Sequence, residues 1–272
     1  MKNILVPVDF SPASRHASVY AGFLAKKFNT GVHLLHVYKD PTPVTMERLP
    51  YSVTVSKTHE KKQALINTEI EYLQTKYGIK VKGEVITGFT ADTINNSANE
   101  MDAGLIMMGM AAGKNYSMLG SVALKMIRKS DRPLLIIPET ASVQEFKNIS
   151  LAVDFKEMVH SSTLGILFEI VKKSDGVLHV WHVEKPGSDV KASELPEKLQ
   201  LEKTLSKVTF WYDHVENDDV NQGILNFVES HPTDLLVMIA HQHNLFEKIF
   251  GGLHTSPITL DIKIPLLVLK NE

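Results

Sequence analysis

KNILVPVDF (Lys2 to Phe10) and KNISLAVDF (Lys147 to Phe155) are one phrase written twice, identical at six of nine positions and offset by 145 residues. Self-similarity over a whole domain length marks a duplicated unit before any other signal is weighed. Two more matches follow in the same order. VHLLHV (Val32 to Val37) is answered by VLHVWHV (Val177 to Val183), and DRPLLIIP (Asp131 to Pro138) by KIPLLVLK (Lys263 to Lys270). A length of 272 residues suits two cores, since one core commonly serves about 100–200 residues. Domains are therefore expected at 1–140 and 147–272, with a linker over Thr140 to Phe146 that has neither a Gly/Ser run nor a proline hinge. Units joined so tightly should pack as a pseudo-twofold pair, an internal imitation of a homodimer.

Within each copy, short apolar runs alternate with longer amphipathic segments. Ile4 to Val8, Val32 to Val37, Leu105 to Met108 and Pro133 to Ile137 are near-continuous apolar or β-branched runs, the pattern of parallel strands buried on both faces. Val81 to Ile86 carries Lys82 and Glu84 and suits a sheet edge. In the second copy the strands are expected at Ile149 to Val153, Val177 to Val183, Val208 to Tyr212, Leu235 to Ile239 and Pro265 to Leu269. Ser11 can cap a first helix and Pro12 suits its first turn, with Ala13, Ala17, Ala21, Leu24 and Ala25 at helical spacing. Further helices are expected over Thr58 to Lys76 (inner face Ala64, Ile66, Ile70 and Leu73), Ala91 to Glu100 and Ser121 to Ser130. This alternation implies an α/β fold: two tandem Rossmann-like domains, each an open five-stranded parallel sheet with helices on both faces.

Composition narrows the function. No apolar run approaches the roughly 20 residues that cross a bilayer, and the apolar start of MKNILVPVDFSP is broken by Pro7 and Asp9 where a secretory signal would continue. Cysteine is absent, which excludes disulfides, thiolate zinc sites and thiol nucleophiles and fits a cytoplasmic protein. With 29 Lys and Arg against 31 Asp and Glu, the net charge of -2 offers no general field for a nucleic-acid backbone. Neither membrane nor nucleic acid is an expected partner.

In an open parallel sheet, ligands bind beyond the carboxyl ends of the strands, where strand order reverses. Asp9 follows the first strand and precedes the Ser11 cap. Its carboxylate can accept from an adenine amino group or a ribose hydroxyl, or it can satisfy backbone donors where the helix starts. Asp154 repeats the position. The second element is MGMAAGKNYSMLGSV (Met108 to Val122), in which Gly109 ends a strand and Gly120-Ser121 precede an amphipathic helix. Glycine allows close approach of a phosphate, and helix-start amides with the Ser121 hydroxyl favour an anion. The same pattern also fits an ordinary strand-turn-helix with a serine cap.

The opening VPVDFSP, the LLHV strand, ITGFTADTI and MMGMAAGKNYSMLGSVALKMIRKSDRPLLIIP together resemble landmarks of the universal stress protein family. The resemblance spans nearly all of the first copy and, more weakly, most of the second. It implies a stress-response protein whose first domain binds ATP, with magnesium, or another adenine nucleotide as a regulatory ligand. It also implies dimer-like assembly and contacts with other proteins. Carried over by position, it puts Asp9 and the Val37 backbone near adenine, Gly109 near the ribose and phosphates, and Gly120, Ser121 and Val122 along the phosphate chain. The family motif is G-x2-G-x9-G-[ST]. Here its second glycine falls on Ala112, Gly113 is the candidate substitute, and ten residues rather than twelve separate Gly109 from Gly120. In the second copy, MIAHQHNLFEKIFGGLHTSP puts Ala240 where Gly109 would be and Gly252 in place of Ser121, leaving Asp154 and Gly251 as counterparts. That domain is expected to bind ATP weakly or not at all. The alternative is a nucleotide-free interaction scaffold in which both sites are degenerate.

Other signals carry less. GMAAGKN is one residue short of a P-loop and has Asn115 at its hydroxyl position, with Lys114 left as a loop lysine. His241, His243 and His254 lack an identifiable carboxylate partner for zinc, and the pairs His33/His36 and His179/His182 point to opposite faces of their strands. Met107, Met108 and Met110 suit core gaps. No catalytic base stands out, so the protein is not expected to be an enzyme, beyond slow incidental ATP hydrolysis.

Overall fold

The computed structural model describes residues 2–39, 51–112, 117–118, 120–155, 158–184, 186–187, 195–240 and 263–271. The chain divides into two compact units, Met1–Ala111 with Leu119–Glu139, and Ala112–Met118 with Thr140–Glu272.

In the first unit, β1 (Ile4–Pro7), α1 (Pro12–Phe28), β2 (Val32–Tyr38), α2 (Tyr51–Tyr77), β3 (Val81–Thr87), α3 (Thr90–Glu100) and β4 (Leu105–Ala112) alternate along the chain. α4 (Ser121–Lys129) and β6 (Leu134–Pro138) complete it; the two-residue strand β5 (Ser117–Met118), which precedes α4 in the chain, groups with the second unit. The main strands are all parallel, in the order β3-β2-β1-β4-β6. Strand order therefore reverses between β1 and β4. The apolar runs form the core: Ile4, Leu5, Val6, Leu34, Leu35, Met107 and Ile136 are all fully buried. Ser11 caps α1, its side chain accepting the Ser14 amide at 3.2 Å, and the predicted inner face of Ala13, Ala17, Ala21, Leu24 and Ala25 is buried.

Two expectations for this unit need correction. The apolar spacing of α2 marks only the part that packs on the sheet; the helix starts earlier, at Tyr51. Ile66 and Leu73 are buried, Ile70 is half-buried, and Ala64 faces solvent. Gly109 does not end its strand. β4 runs on to Ala112 because Gly109 and Met110 pair in register with Ile137 and Pro138.

The second unit has β7 (Asn148–Val153), α5 (Gly165–Ser174), β8 (Val177–Glu184), α6 (Leu195–Leu205), β9 (Phe210–Glu216), α7 (Val220–Ser230), β10 (Leu235–Ala240) and β11 (Leu266–Lys270). Its strands are parallel in the order β11-β10-β7-β8-β9, which repeats the first unit's topology. β9 lies later than the predicted Val208 to Tyr212. As an edge strand it follows the whole length of β8, from Leu178↔Phe210 to Glu184↔Glu216, and its exposed Asp213, His214 and Glu216 hide it from an apolar-run criterion. The first helix also departs from the repeat. In the 145-residue register Pro12 corresponds to position 157, yet 158–164 are turn and irregular backbone and α5 begins at Gly165.

Asp234 holds the start of β7. Its carboxylate accepts from the amides of Lys147 (2.9 Å) and Asn148 (2.8 Å), the Asn148 side chain (3.3 Å) and Gln144 (3.0 Å). The predicted linker, Thr140 to Phe146, contains no helix or strand and ends on the fully buried Phe146.

Candidate functional site

At the switch point between β1 and β4, the first unit has a crevice of about 120 Å³. Asp9, Val37, Gly109 and Val122 line it, drawn from four separate stretches of sequence, together with Ser11, Ser14, Thr90, Ile94 and Met108. Four of the positions that family resemblance singles out thus share one cavity. Gly120 and Ser121 are exposed and outside this lining, and Gly113 lies outside the described residues.

The turn after β1 is built to present Asp9. Phe10 adopts a left-handed backbone (φ 66), a conformation that costs a non-glycine residue of order 1–3 kcal/mol and persists only where its surroundings enforce it. Its ring packs against His36, centroids 4.7 Å apart, and the His36 Nδ1–H donates to the Val8 carbonyl at 2.7 Å. Burial pushes the His36 pKa down, against the pull of the Val8 hydrogen bond, and the Lys62 charge lowers it further, so the ring is a neutral fastener. The second unit repeats the contact, with His182 Nδ1 at 2.8 Å from the Val153 carbonyl and its ring 5.0 Å from Phe155. It does not repeat the strain. Among the described non-glycine residues, left-handed backbone occurs at Phe10, Asn29, Asp102 and Asp175, not at Phe155.

Asp9 itself accepts the Ser11 amide at 3.0 Å, so one of its oxygens does serve the start of the helix. Burial would raise its pKa, but hydrogen bonds from Ser11 and Ser14 outweigh this and hold the carboxyl below the usual aspartate value. The group is an anion at neutral pH, an acceptor for ligand N–H or O–H groups. Across the crevice, Gly109 has a reason of its own to be glycine. A Cβ there would lie 2.2 Å from the Ala13 carbonyl oxygen and 2.9 Å from the Ser14 amide nitrogen, so α1 comes to rest on β4 only because no side chain intervenes. Gly120 is the opposite case. Its backbone is ordinary (φ -63), and a Cβ would meet nothing within 4 Å, so none of the described residues requires glycine there. It is also the N-cap of α4, with no side-chain cap, which leaves the first-turn amides of Ser121 and Val122 without one; Ser121 is the first helical residue, not the predicted cap.

Among its described residues, the second unit does not keep the glycine. Ile239 pairs with Leu269 as Gly109 pairs with Ile137, so the buried Ile239, rather than Ala240, holds the place of Gly109. His241, His243, Gly251, Gly252 and His254 lie outside the described residues, as do Lys114 and Asn115. Among the described residues no cluster of His, Asp or Glu is suited to hold a metal, and no helix is long and apolar enough to cross a membrane. A larger hollow of about 910 Å³ lies at the other end of the first sheet, lined by Lys2, Lys26, Lys80 and Asp102. It sits at strand amino ends and helix carboxyl ends, where carbonyls repel anions, and away from the switch point.

Ser14, Thr90 and Ile94 also line the crevice, Thr90 and Ile94 from within the ITGFTADTI landmark. The Ser11-x-x-Ser14 spacing of the cap was a readable hint for Ser14; Thr90 and Ile94 depend on where α3 packs.

A duplicated open parallel sheet with an acidic turn and a crevice at its switch point defines a tandem Rossmann-like α/β protein. The family model for the universal stress protein family matches residues 1–138 and 145–270, and the chain belongs to that family. Universal stress protein Slr1230 of Synechocystis is 23% identical over 99% of this chain and 100% of its own length. Universal stress protein MJ0531 of Methanocaldococcus jannaschii is 28% identical over 50% of this chain and 81% of its own. The crystal structure of a universal stress protein from Archaeoglobus fulgidus superposes with a TM-score of 0.74 at 20% identity, covering 99% of this chain and 98% of that one.

Proposed function

We propose that this chain is a cytoplasmic stress-response protein whose first domain, residues 1–140, holds an adenine nucleotide as a regulatory ligand, with ATP and magnesium as the first candidate. The second domain, residues 147–272, takes none. The observation that carries this reading is the convergence of Asp9, Val37, Gly109 and Val122 on one crevice at the switch point. The strained Phe10 turn, present only in the first unit, and the open space at Gly120 add to it. Asp9 would accept from the base or ribose, and the uncapped start of α4 would receive the anionic end, with Gly120 and Ser121 beside it. Bound magnesium would offset phosphate charge. Asp9 is held below the usual aspartate range, which makes it a weak base and suits it to a hydrogen-bond-accepting role toward a regulatory ligand.

One observation favours a nucleotide-free interaction scaffold instead. Ligand pockets commonly enclose about 300–1,000 Å³, and this crevice encloses about 120 Å³. A nucleotide would have to leave its tail outside, along α4. Thermal denaturation with and without magnesium-ATP separates the readings: ligand at a hundred times its dissociation constant adds about 2.7 kcal/mol. A rise in Tm in the wild type that Asp9→Ala abolishes supports nucleotide binding; an unmoved wild type supports the scaffold.

A further inference from the structure

One aromatic side chain at the rim of the crevice is unexplained by the fold. β3 ends at Thr87, and the Gly88 amide donates to the Tyr38 carbonyl at 2.9 Å, tying the following turn to the end of β2. Phe89 then occupies the N-cap of α3, with extended backbone (φ -80, ψ 114) and no side-chain cap bond. Capping positions ordinarily hold Ser, Thr, Asp or Asn, whose oxygens accept a helix-start amide. A phenyl group does nothing for that amide. Nor does it serve the core, since Phe89 is 73% exposed, the most exposed of the large apolar side chains among the described residues.

Its neighbours are those of the crevice. Thr90, the next residue, lines the cavity, and so does Val37 on β2. Lys39, two residues beyond Val37, places its Nζ 6.0 Å from the Phe89 ring centroid. The rim therefore offers a solvent-facing aromatic ring with a cation beside it, at a helix start whose next residue, Thr90, lines the same crevice as Asp9. A flat apolar face with positive charge close by fits a planar heterocycle that carries an anionic tail.

We propose that Phe89 is a specificity-determining residue of the crevice, its ring stacking on the nucleobase of the bound nucleotide. This rests on the nucleotide reading above and adds what that reading lacks, a protein group that recognises the base by its face. Stacking distinguishes a ligand that has a base from one that is only phosphate, and it favours the broader purine over a pyrimidine.

Isothermal titration of the full chain with ATP, CTP and inorganic tripolyphosphate, each with magnesium, tests the assignment in the wild type, Phe89→Ala and Phe89→Trp. Phe89→Ala should weaken ATP about 10-fold, within the range alanine substitution gives for base–aromatic stacking, and leave tripolyphosphate unchanged. Phe89→Trp should retain ATP. If the wild type binds ATP and Phe89→Ala binds it equally well, the stacking role is overturned while the nucleotide site stands. Equal weakening of ATP and tripolyphosphate also overturns it, because the ring would then act through the loop. A wild type that binds no ATP removes both. The exposed position makes misfolding an easily checked alternative: the urea midpoint of Phe89→Ala should match the wild type.

Discussion

Gly109→Ala is the substitution for which the structure makes its firmest demand. The added Cβ would stand 2.2 Å from the Ala13 carbonyl oxygen, 2.4 Å from the Ala13 carbonyl carbon and 2.9 Å from the Ser14 amide nitrogen. Ordinary contact begins near 3.4 Å, so the first turn of α1 must retreat by about 1 Å or β4 must bend away. Both moves meet resistance, because the Ser11–Ser14 cap holds the turn and the paired register with Ile137 holds the strand. Every atom struck is backbone, with no rotamer to swing aside, so the cost belongs at the upper end of the roughly 1–3 kcal/mol typical of overpacking. Urea unfolding followed by far-ultraviolet circular dichroism is the suitable assay, since both tryptophans, Trp181 and Trp211, lie in the second unit and would report on the wrong one. Gly120→Ala is the control: it meets nothing within 4 Å and should cost only the loss of a glycine N-cap, under about 1 kcal/mol. If Gly109→Ala were as stable as Gly120→Ala, the close seating of α1 on β4 would be wrong, and so would the shape of the crevice they enclose.

Two more predictions concern the second unit. Tyr212 is pushed up to about 12, first by burial and then by the charges of Glu184, Glu202 and Asp213, so an alkaline ultraviolet titration of the seven tyrosines should show a late component that Tyr212→Phe diminishes, Tyr77 being raised by burial as well. Because the folded protein keeps this proton longer than the unfolded chain, the Tyr212 contribution to stability is whole below pH 10 and drains away as pH climbs toward 12; identical pH dependence in Tyr212→Phe and wild type would contradict this. Asp234→Ala strands the Lys147 and Asn148 amides and should cost about 1–3 kcal/mol, read from the urea midpoint of tryptophan fluorescence. An unchanged midpoint would mean that solvent replaces the carboxylate without loss.

The central parallel strands of the first unit were legible because they are buried, and burial on both faces writes an unbroken apolar run; α1 showed through its helical spacing instead. Edge position defeated the same logic at β9, where half the residues face water. Asp9 could be placed after its strand, and the start of α4 near Gly120, because turn and cap chemistry are local. What glycine does at position 109 could not be read locally, since its demand comes from the backbone of Ala13, nearly a hundred residues earlier. The same distance hid the counterpart of Gly109: pairing with β11, not the look of the adjacent residues, identifies Ile239. Phe89 escaped notice for the opposite reason, as a lone aromatic in ITGFTADTI looks like core until its exposure is known.

The late start of α5 carries a quantitative consequence. Eight residues separate position 157 from Gly165, which at 1.5 Å per residue withdraws the positive end of that helix by about 12 Å from where α1 puts its own. Ile239 meanwhile fills the place that Gly109 leaves clear. The first turns of the two halves are therefore not interchangeable, and Asp154→Ala is not expected to reproduce the effect of Asp9→Ala on the binding proposed for the first unit.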